Sequence, residues 1–199
     1  QNPEKPIGTA VVLRGDKGTG KGMLANFLMS LWKNHAFSID NPEHLTGRFS
    51  GHLMDVCFLF ADEAFFAGNK KGEGRLKSII TEPLLLIEPK HIGAMNIKNR
   101  LKILMATNND YAVPATRDER RFFVTDVSNE KARDFEYFDR LKADCNSKEV
   151  QSAFLYAMLN MDLTGYYPQK IPETTPLMEL LEDTLEIPEH RMIDVMRND

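Results

Sequence analysis

The chain has 199 residues, 42% of them hydrophobic and 27% charged, which is typical of one sizeable globular domain. The formal net charge of −4 excludes a protein that is basic all over, although a few lysines directed into a channel would still bind nucleic acid. No apolar run is long enough to span a membrane. The two cysteines, Cys57 and Cys145, fit a reducing compartment, so we expect a cytoplasmic protein. The five histidines lack metal-ligand spacing.

The first motif in chain order is a glycine-rich turn. Residues 9–13 are apolar and predict a buried parallel strand, and residues 23–32 predict a helix with one apolar face. Between them the residues from Gly15 to Lys21 follow the pattern G-x-x-x-x-G-K, and Gly18, Thr19 and Gly20 lie inside it. Glycines let backbone N–H groups converge on an anion, and a lysine reaches its outer phosphates. A plain turn with a surface lysine is the alternative, but the flanking strand and helix favour a phosphate-binding loop.

This loop departs from the usual pattern at Gly22. A serine or threonine normally follows the lysine, and its hydroxyl is a ligand of Mg²⁺. Gly22 has no such group, and Thr19 lies too early in the loop to be an obvious substitute. Either a water molecule or a carboxylate elsewhere replaces this ligand, or the loop binds magnesium weakly.

The second motif is an acidic pair after another apolar run. Residues 56–61 predict a buried strand that ends at Asp62 and Glu63. Ligands bind at the carboxyl ends of the strands in open parallel sheets. We therefore expect Asp62 to hold the magnesium and Glu63 to orient or activate the attacking water. An exposed acid pair without a function is the alternative if the glycine loop is ignored.

Three further features complete the first two-thirds of the chain. Residues 84–89 and 94–98 predict a β-hairpin whose basic tip carries Lys90 and His91. Residues 102–107 predict another buried strand, and Asn108 after it can hydrogen-bond a γ-phosphate or its water. Arginines precede the strand predicted at residues 122–127, at positions 117, 120 and 121. A solvated turn and a charged loop are the alternative interpretations of the tip and of the arginines.

The alternation of strands and helices predicts an α/β protein with a parallel sheet. We assign residues 1–128 to this core, with the hairpin near 84–98 as an insertion, and residues 129–199 to a C-terminal helical appendage. The residues before the first strand are polar and rich in proline, and the chain begins with Gln1. We therefore expect it to be part of a longer protein.

The order of these parts resembles the superfamily 3 helicases of viruses, phages and mobile elements, especially the ATPase domains of phage and poxvirus-type primase-helicases. The Lys21 loop matches the first nucleotide motif of that family, and Asp62 with Glu63 matches the second. Leu104-Met105-Ala106-Thr107-Asn108 looks like the third, an apolar strand that ends in a sensor asparagine. The resemblance implies an AAA+-like P-loop fold with the strand order 5-1-4-3-2.

The same resemblance implies partners and further roles. Lys90 and His91 are similar to a hairpin tip that holds single-stranded DNA in a central channel. Arg120 and Arg121 match the region of the arginine finger; Arg120 is preferred by its distance to the next strand, and Arg117 is a weaker candidate. The implied cofactors are ATP and Mg²⁺, the implied assembly is a ring, usually a hexamer, and the longer chain would carry an upstream primase or polymerase domain.

We therefore expect an ATP-dependent helicase or translocase that acts on single-stranded DNA in phage or mobile-element replication, in the host cytoplasm if phage-encoded. One alternative is a nucleotide switch that loads other replication proteins and need not grip DNA. The other is a small-molecule phosphotransferase, which would need an acceptor pocket and would leave the Lys90-His91 hairpin without a role. Stimulation of ATP hydrolysis by single-stranded DNA separates the motor from both alternatives.

Overall fold

A computed structural model of the chain describes residues 4–47, 50–63, 70–109, 113 and 120–183. Within these ranges no helix is both long and apolar enough to cross a membrane. The strands are β1 (Ala10–Arg14), β2 (Ala36–Ile39), β3 (Phe58–Asp62), β4 (Leu84–Ile87), β5 (Met95–Lys98), β6 (Lys102–Thr107) and β7 (Phe122–Asp126). The helices are α1 (Lys21–Trp32), α2 (Pro42–Thr46), α3 (Lys70–Thr81), α4 (Phe135–Asn146), α5 (Lys148–Leu159) and α6 (Thr175–Asp183).

The centre of the fold is a five-stranded sheet in which every neighbouring pair is parallel. Its strand order is β2-β3-β6-β1-β7. In this register Arg14 lies opposite both Thr107 and Asp126, and Asp62 lies opposite Ala106. The strands β1, β3, β6 and β7 therefore end at one edge of the sheet, and the residues that follow them meet there. The expected mixed α/β fold with a parallel sheet is confirmed.

Side chains alternate between two cores because successive residues of a strand point to opposite faces. On one face Phe58 and Phe60 pack with Leu104 beneath α1, and Trp32 of that helix stacks on Phe58 with ring centroids 6.3 Å apart. The other face carries the larger core, to which the strands, helices α2, α3 and α6, and the hairpin all contribute. The sheet is thus covered by helices on both sides, as expected for parallel strands.

Helix α6 is an integral part of the fold, although the sequence suggested a C-terminal appendage. Leu177 and Leu180 of α6 are buried in the larger core. The guanidinium of Arg14, at the end of β1, donates two hydrogen bonds to the Asp126 carboxylate, at 2.6 and 3.0 Å, and another to Glu179 of α6. These carboxylates raise the pKa of Arg14. Asp126 and Glu179 therefore fix the end of β1, the strand that leads into the glycine-rich loop.

The predicted hairpin is present, since β4 and β5 pair antiparallel with Ile87 opposite Met95. Asn99 fixes its base. The side chain of this fully buried residue donates to the carbonyls of Ile79 and Glu82 at the end of α3, at 2.7 and 2.8 Å. Its Oδ1 accepts from Leu101 N at 3.0 Å. The hairpin is thereby attached to α3 and to the strand β6 that follows it.

Candidate functional site

The loop of residues 15–20 joins β1 to α1 and needs its glycines. Gly15, Gly18 and Gly20 have φ angles of 154°, 81° and 92°, which side chains disfavour. A Cβ on Gly20 would also lie 2.7 Å from Cε1 of Phe138 in α4. No side chain caps α1 at Gly20. The N–H groups of its first turn therefore face the loop, where they can bind an anion.

Lys21 is the first residue of α1 and is buried, with 8% of its surface exposed. Its Nζ donates hydrogen bonds to the carbonyls of Gly15 and Asp16, at 2.7 and 2.8 Å, and to Oδ1 of Asn108 at 2.8 Å. Burial lowers the pKa of the Lys21 ammonium, whereas the charges of nearby carboxylates oppose that shift. The three acceptors hold the ammonium inside the loop, next to the first turn of α1.

The acidic pair lies at the same edge. Asp62 is the last residue of β3 and is exposed. Glu63 follows with a left-handed φ of 52°, a conformation that costs a non-glycine residue about 1–2 kcal/mol. Its backbone N–H donates to Ala106 O at 2.9 Å, and its Oε1 accepts from Asn108 N at 2.9 Å. Such strain is typical of functional sites, where the surrounding structure maintains it.

Asn108 connects the lysine to the glutamate. Its side chain accepts from Lys21 and its backbone N–H donates to Glu63. The hydroxyl of the buried Thr107 adds a second contact to the glutamate, because it donates to Glu63 Oε2 at 3.5 Å and accepts from Asn109 N at 3.0 Å. Four of the predicted site residues, Lys21, Asp62, Glu63 and Asn108, therefore meet at the carboxyl edge of the sheet.

The residues at this edge fit a magnesium ion that is bound mainly by phosphates and water. Asp62 supplies one exposed carboxylate beside the lysine, and Mg²⁺ usually takes one or two carboxylates together with substrate phosphates. The Thr19 hydroxyl inside the loop donates a hydrogen bond to Asp16 O at 2.9 Å. Among the described residues no cluster of three or more His, Cys, Asp or Glu side chains could hold a metal on its own.

Two cavities flank the glycine-rich loop and differ in character. One, of about 540 Å³, lies beside Gly20 and Lys21 and is walled mainly by apolar and aromatic side chains, among them Phe27, Tyr137 and Phe138. The other, of about 560 Å³, is polar and is lined by Asp16, Lys17, Asn108, Asn129, Ala132 and Arg133. The site therefore has an apolar side and a polar side, on either side of the loop.

The segment that closes both cavities was not singled out from the sequence. Residues 128–134 follow β7 and lead into α4, whose N-cap Asp134 accepts from Tyr137 N at 3.0 Å. The side chain of Asn129 in this segment donates to Oδ2 of Asp16 at 2.6 Å. The cap pattern at Asp134 was the available signal for a helix start. Nothing in the sequence indicated that the segment touches the loop, more than a hundred residues earlier.

Lys90 and His91 lie in the turn between β4 and β5 and are exposed. His91 has a left-handed φ of 66°, so it occupies a tight turn. The side chains of both residues are therefore exposed at the hairpin tip.

The arginines lie at the other end of the sheet. Arg121 precedes β7, and its carbonyl accepts from Ala10 N at 2.7 Å, at the beginning of β1. The length of β1, about 13 Å at about 3.3 Å per residue, separates this edge from the glycine loop. Arg120 is exposed and lines a small cavity with Arg121. The structure does not bring these arginines to the Lys21 cluster of the same chain, and Arg117 lies outside the described residues.

Comparisons with known proteins find similarity to a phage protein and to solved structures. The DNA primase-polymerase of Nitratiruptor phage NrS-1 is 29% identical over 126 residues, which is 61% of this chain but 17% of that protein. An apo structure of the NrS-1 C-terminal region matches with a TM-score of 0.77 and 22% identity, over 92% of this chain and 44% of the other. Its A form gives a TM-score of 0.78 at 20% identity, with the same coverage.

The structural similarity shows a shared fold, and the chain spans less than half the length of the relatives it matches. Residues 13–121 match a family described as "Family of unknown function (DUF5906)". These residues include the glycine loop, the acidic pair, the hairpin and Asn108. Since the match covers more than half of the chain, this protein belongs to the family of unknown function DUF5906.

Proposed function

We propose that this protein is an ATP-driven motor that acts on single-stranded DNA during phage replication. One observation carries the proposal: at the glycine loop, hydrogen bonds join Lys21 to the side chain of Asn108 and Glu63 to its backbone N–H, beside the exposed carboxylate of Asp62. Hydrolysis of a nucleoside triphosphate requires backbone N–H groups and a lysine that bind the phosphates, together with acids and a polar side chain near the γ-phosphate. The residues at this edge of the sheet supply all of these groups.

The topology supports a P-loop ATPase. Counted in chain order within the sheet, the strands β7, β1, β6, β3 and β2 run 5-1-4-3-2, the order that the resemblance to superfamily 3 helicases implies. The glycine loop follows the strand β1, and the acids follow β3, two strands away. The intervening strand β6 ends at Thr107, and Asn108, which follows it, therefore lies between the lysine and the acids.

Each residue then has a distinct role in hydrolysis. Lys21 exchanges its carbonyl acceptors for the β- and γ-phosphates and stabilises their charge. Glu63 orients and deprotonates the attacking water, and Asn108 holds the γ-phosphate or this water. The Asp62 carboxylate would hold a magnesium ion, which would supply positive charge next to the phosphates. The adenine ring of the nucleotide occupies the apolar cavity beside Gly20. Its terminal phosphates point to the polar cavity.

The remaining predicted residues act outside this cluster. Lys90 and His91 grip the DNA backbone at the hairpin tip, which is attached through Asn99 and β6 to the residue that senses the γ-phosphate. Arg120 lies too far from the glycine loop of its own chain. It therefore acts as an arginine finger on a neighbouring copy, in a ring of which a hexamer is the expected form.

The relatives support the biological setting. A protein called a DNA primase-polymerase acts in DNA synthesis, and its C-terminal region shares this fold. Our chain would provide the motor part of a longer protein with an upstream primase or polymerase domain.

The test is ATP hydrolysis by the parent protein and by Glu63→Gln, with Glu136→Gln as the control. Glu136 lies on the outer face of α4 and its side chain is 86% exposed. We expect Glu63→Gln to bind ATP and to lose hydrolysis by at least about a hundredfold, the usual scale for a general base. Glu136→Gln should match the parent. Hydrolysis by Glu63→Gln at the parent rate would contradict the assigned role.

A further inference from the structure

Residues 128–134 form a strap, which is the name we use for this segment, across the glycine-rich loop. The strap is attached at two points. Asn129 donates from its side chain to Asp16 Oδ2 at 2.6 Å, and the backbone N–H of Arg133 donates to Gly18 O at 3.4 Å. A Cβ on Gly18 would lie 3.6 Å from Cγ of Arg133. The strap therefore rests directly on the part of the loop that would cradle phosphates.

Arg133 has an unusual backbone conformation within the strap. Its φ is 63°, in the left-handed region that costs a non-glycine residue about 1–2 kcal/mol. The next residue, Asp134, is fixed by its N–H bond to Lys131 O at 3.1 Å and by its capping of α4. The structure thus maintains an unfavourable conformation at a residue that lines the polar cavity, a combination that points to function rather than to folding.

The charge of Arg133 is also uncompensated among the residues that the structure describes. The nearby Lys131, by contrast, has partners: its Nζ lies 3.8 Å from Oδ2 of Asp134 and 5.7 Å from the centre of the Tyr137 ring. Arg133 is exposed and makes no ion pair with a described carboxylate. It shares the polar cavity with Lys17 and Asn108, whereas the Asp16 carboxylate there accepts from Asn129. The Arg133 guanidinium has no ion-pair partner among the described residues and lies next to a loop that can bind an anion. It is therefore suited to pair with an anionic group of a bound ligand.

We propose that Arg133 binds the terminal phosphate of the nucleotide held by its own subunit. The proposal rests on the proposed function, because it assumes a nucleoside triphosphate at the glycine loop. Arg133 would act together with Lys21 and separately from any arginine of a neighbouring copy. A single subunit would then already prefer a triphosphate to a diphosphate. Release of the γ-phosphate would also free the strap, which leads directly into α4.

The test compares the affinities of ATP, ADP and AMP for the parent, for Arg133→Gly and for Arg140→Ala. Glycine adopts a φ of 63° without strain, so Arg133→Gly removes the guanidinium and keeps the path of the strap. Arg140 is the matched control, because its side chain on α4 is 72% exposed and its Nη2 lies 3.9 Å from Oε1 of Glu136 on the same helix. Thermal unfolding of each variant shows that the fold is retained.

We expect Arg133→Gly to bind ATP about tenfold to a hundredfold more weakly, the range for one charge-assisted hydrogen bond. Binding of AMP should be unchanged, Arg133→Lys should recover part of the loss, and Arg140→Ala should match the parent. An equal loss for all three nucleotides, or no loss for ATP, would overturn the role of Arg133. A parent that binds no ATP would instead contradict the proposed function, so the two failures are distinguishable.

Discussion

Gly22 is the position where a small change gives the sharpest test of the proposed nucleotide site. It is the second residue of α1, its φ is not in the left-handed region, and a Cβ there would meet no atom within 4 Å. Gly22→Ala and Gly22→Ser therefore both fit without strain. They differ only in the hydroxyl that would act as a magnesium ligand.

The magnitudes follow from helix propensity and from metal coordination. Replacing a helical glycine with alanine stabilises by up to about 1 kcal/mol, and serine gives about half of that. In a chain of this size 1 kcal/mol raises Tm by about 2–4 °C. Both variants should thus unfold at a slightly higher temperature than the parent. Only Gly22→Ser gains a ligand, which we expect to tighten magnesium-dependent ATP binding by about tenfold, or about 1.4 kcal/mol.

The assay is titration of ATP at a series of magnesium concentrations, for the parent and both variants. Gly22→Ala controls for the added Cβ and for the stiffer helix. If Gly22→Ser and Gly22→Ala bind ATP equally well at every magnesium concentration, while both remain folded, the missing ligand is already supplied elsewhere and the argument from Gly22 is refuted.

Three further predictions concern other parts of the molecule. Lys21→Ala should abolish the rise in Tm that ATP causes in the parent, because its ammonium pairs with the phosphates; a normal rise would exclude that role. Arg120→Ala should bind ATP and lose hydrolysis, and mixing it with Lys21→Ala protein should partly restore the rate; mixed oligomers without recovery would contradict a finger acting between copies. Burial lowers the pKa of His52, whose ring bonds His44 O at 2.8 Å, so protonation favours the unfolded chain. Stability should be fully present above about pH 6.5 and decrease as the pH falls through the lowered pKa of His52, and His52→Gln should flatten that decrease in thermal unfolding curves.

The cluster around Lys21 could be anticipated because its parts have local signals. The glycine pattern, the acids after an apolar strand and the asparagine after another are each read from a few consecutive residues. Parallel pairing then brings strand ends together at one edge of the sheet. That β6 lies between β1 and β3, which places Asn108 beside both Lys21 and Glu63, was expected only from the strand order that the resemblance implied.

The parts that sequence reasoning missed depend on distant packing. Gly72 and Gly74 are residues typical of a loop, yet residues 70–74 form the start of α3. Burial of Leu76 and Ile79 in the larger core stabilises that helix and outweighs the unfavourable propensity of glycine. The strap and the docking of α6 likewise rest on contacts between residues far apart in the chain, which no local pattern encodes.

Stimulation of ATP hydrolysis by single-stranded DNA is the most direct test of a motor. The rate is measured with and without DNA, alongside strand displacement, for the parent, for the double variant Lys90→Ala with His91→Gly, and for Lys142→Ala as a control on the exposed face of α4. Glycine is chosen at position 91 because it adopts the φ of 66° found there.

We predict that DNA stimulates hydrolysis and that the parent displaces strands. The double variant should keep the DNA-independent rate and lose both stimulation and unwinding, because its phosphate contacts are gone while the Lys21 cluster is intact. Lys142→Ala should behave like the parent. Unwinding that persists in the double variant would contradict the role of the hairpin, and a parent whose hydrolysis ignores DNA would contradict the motor and favour the nucleotide switch.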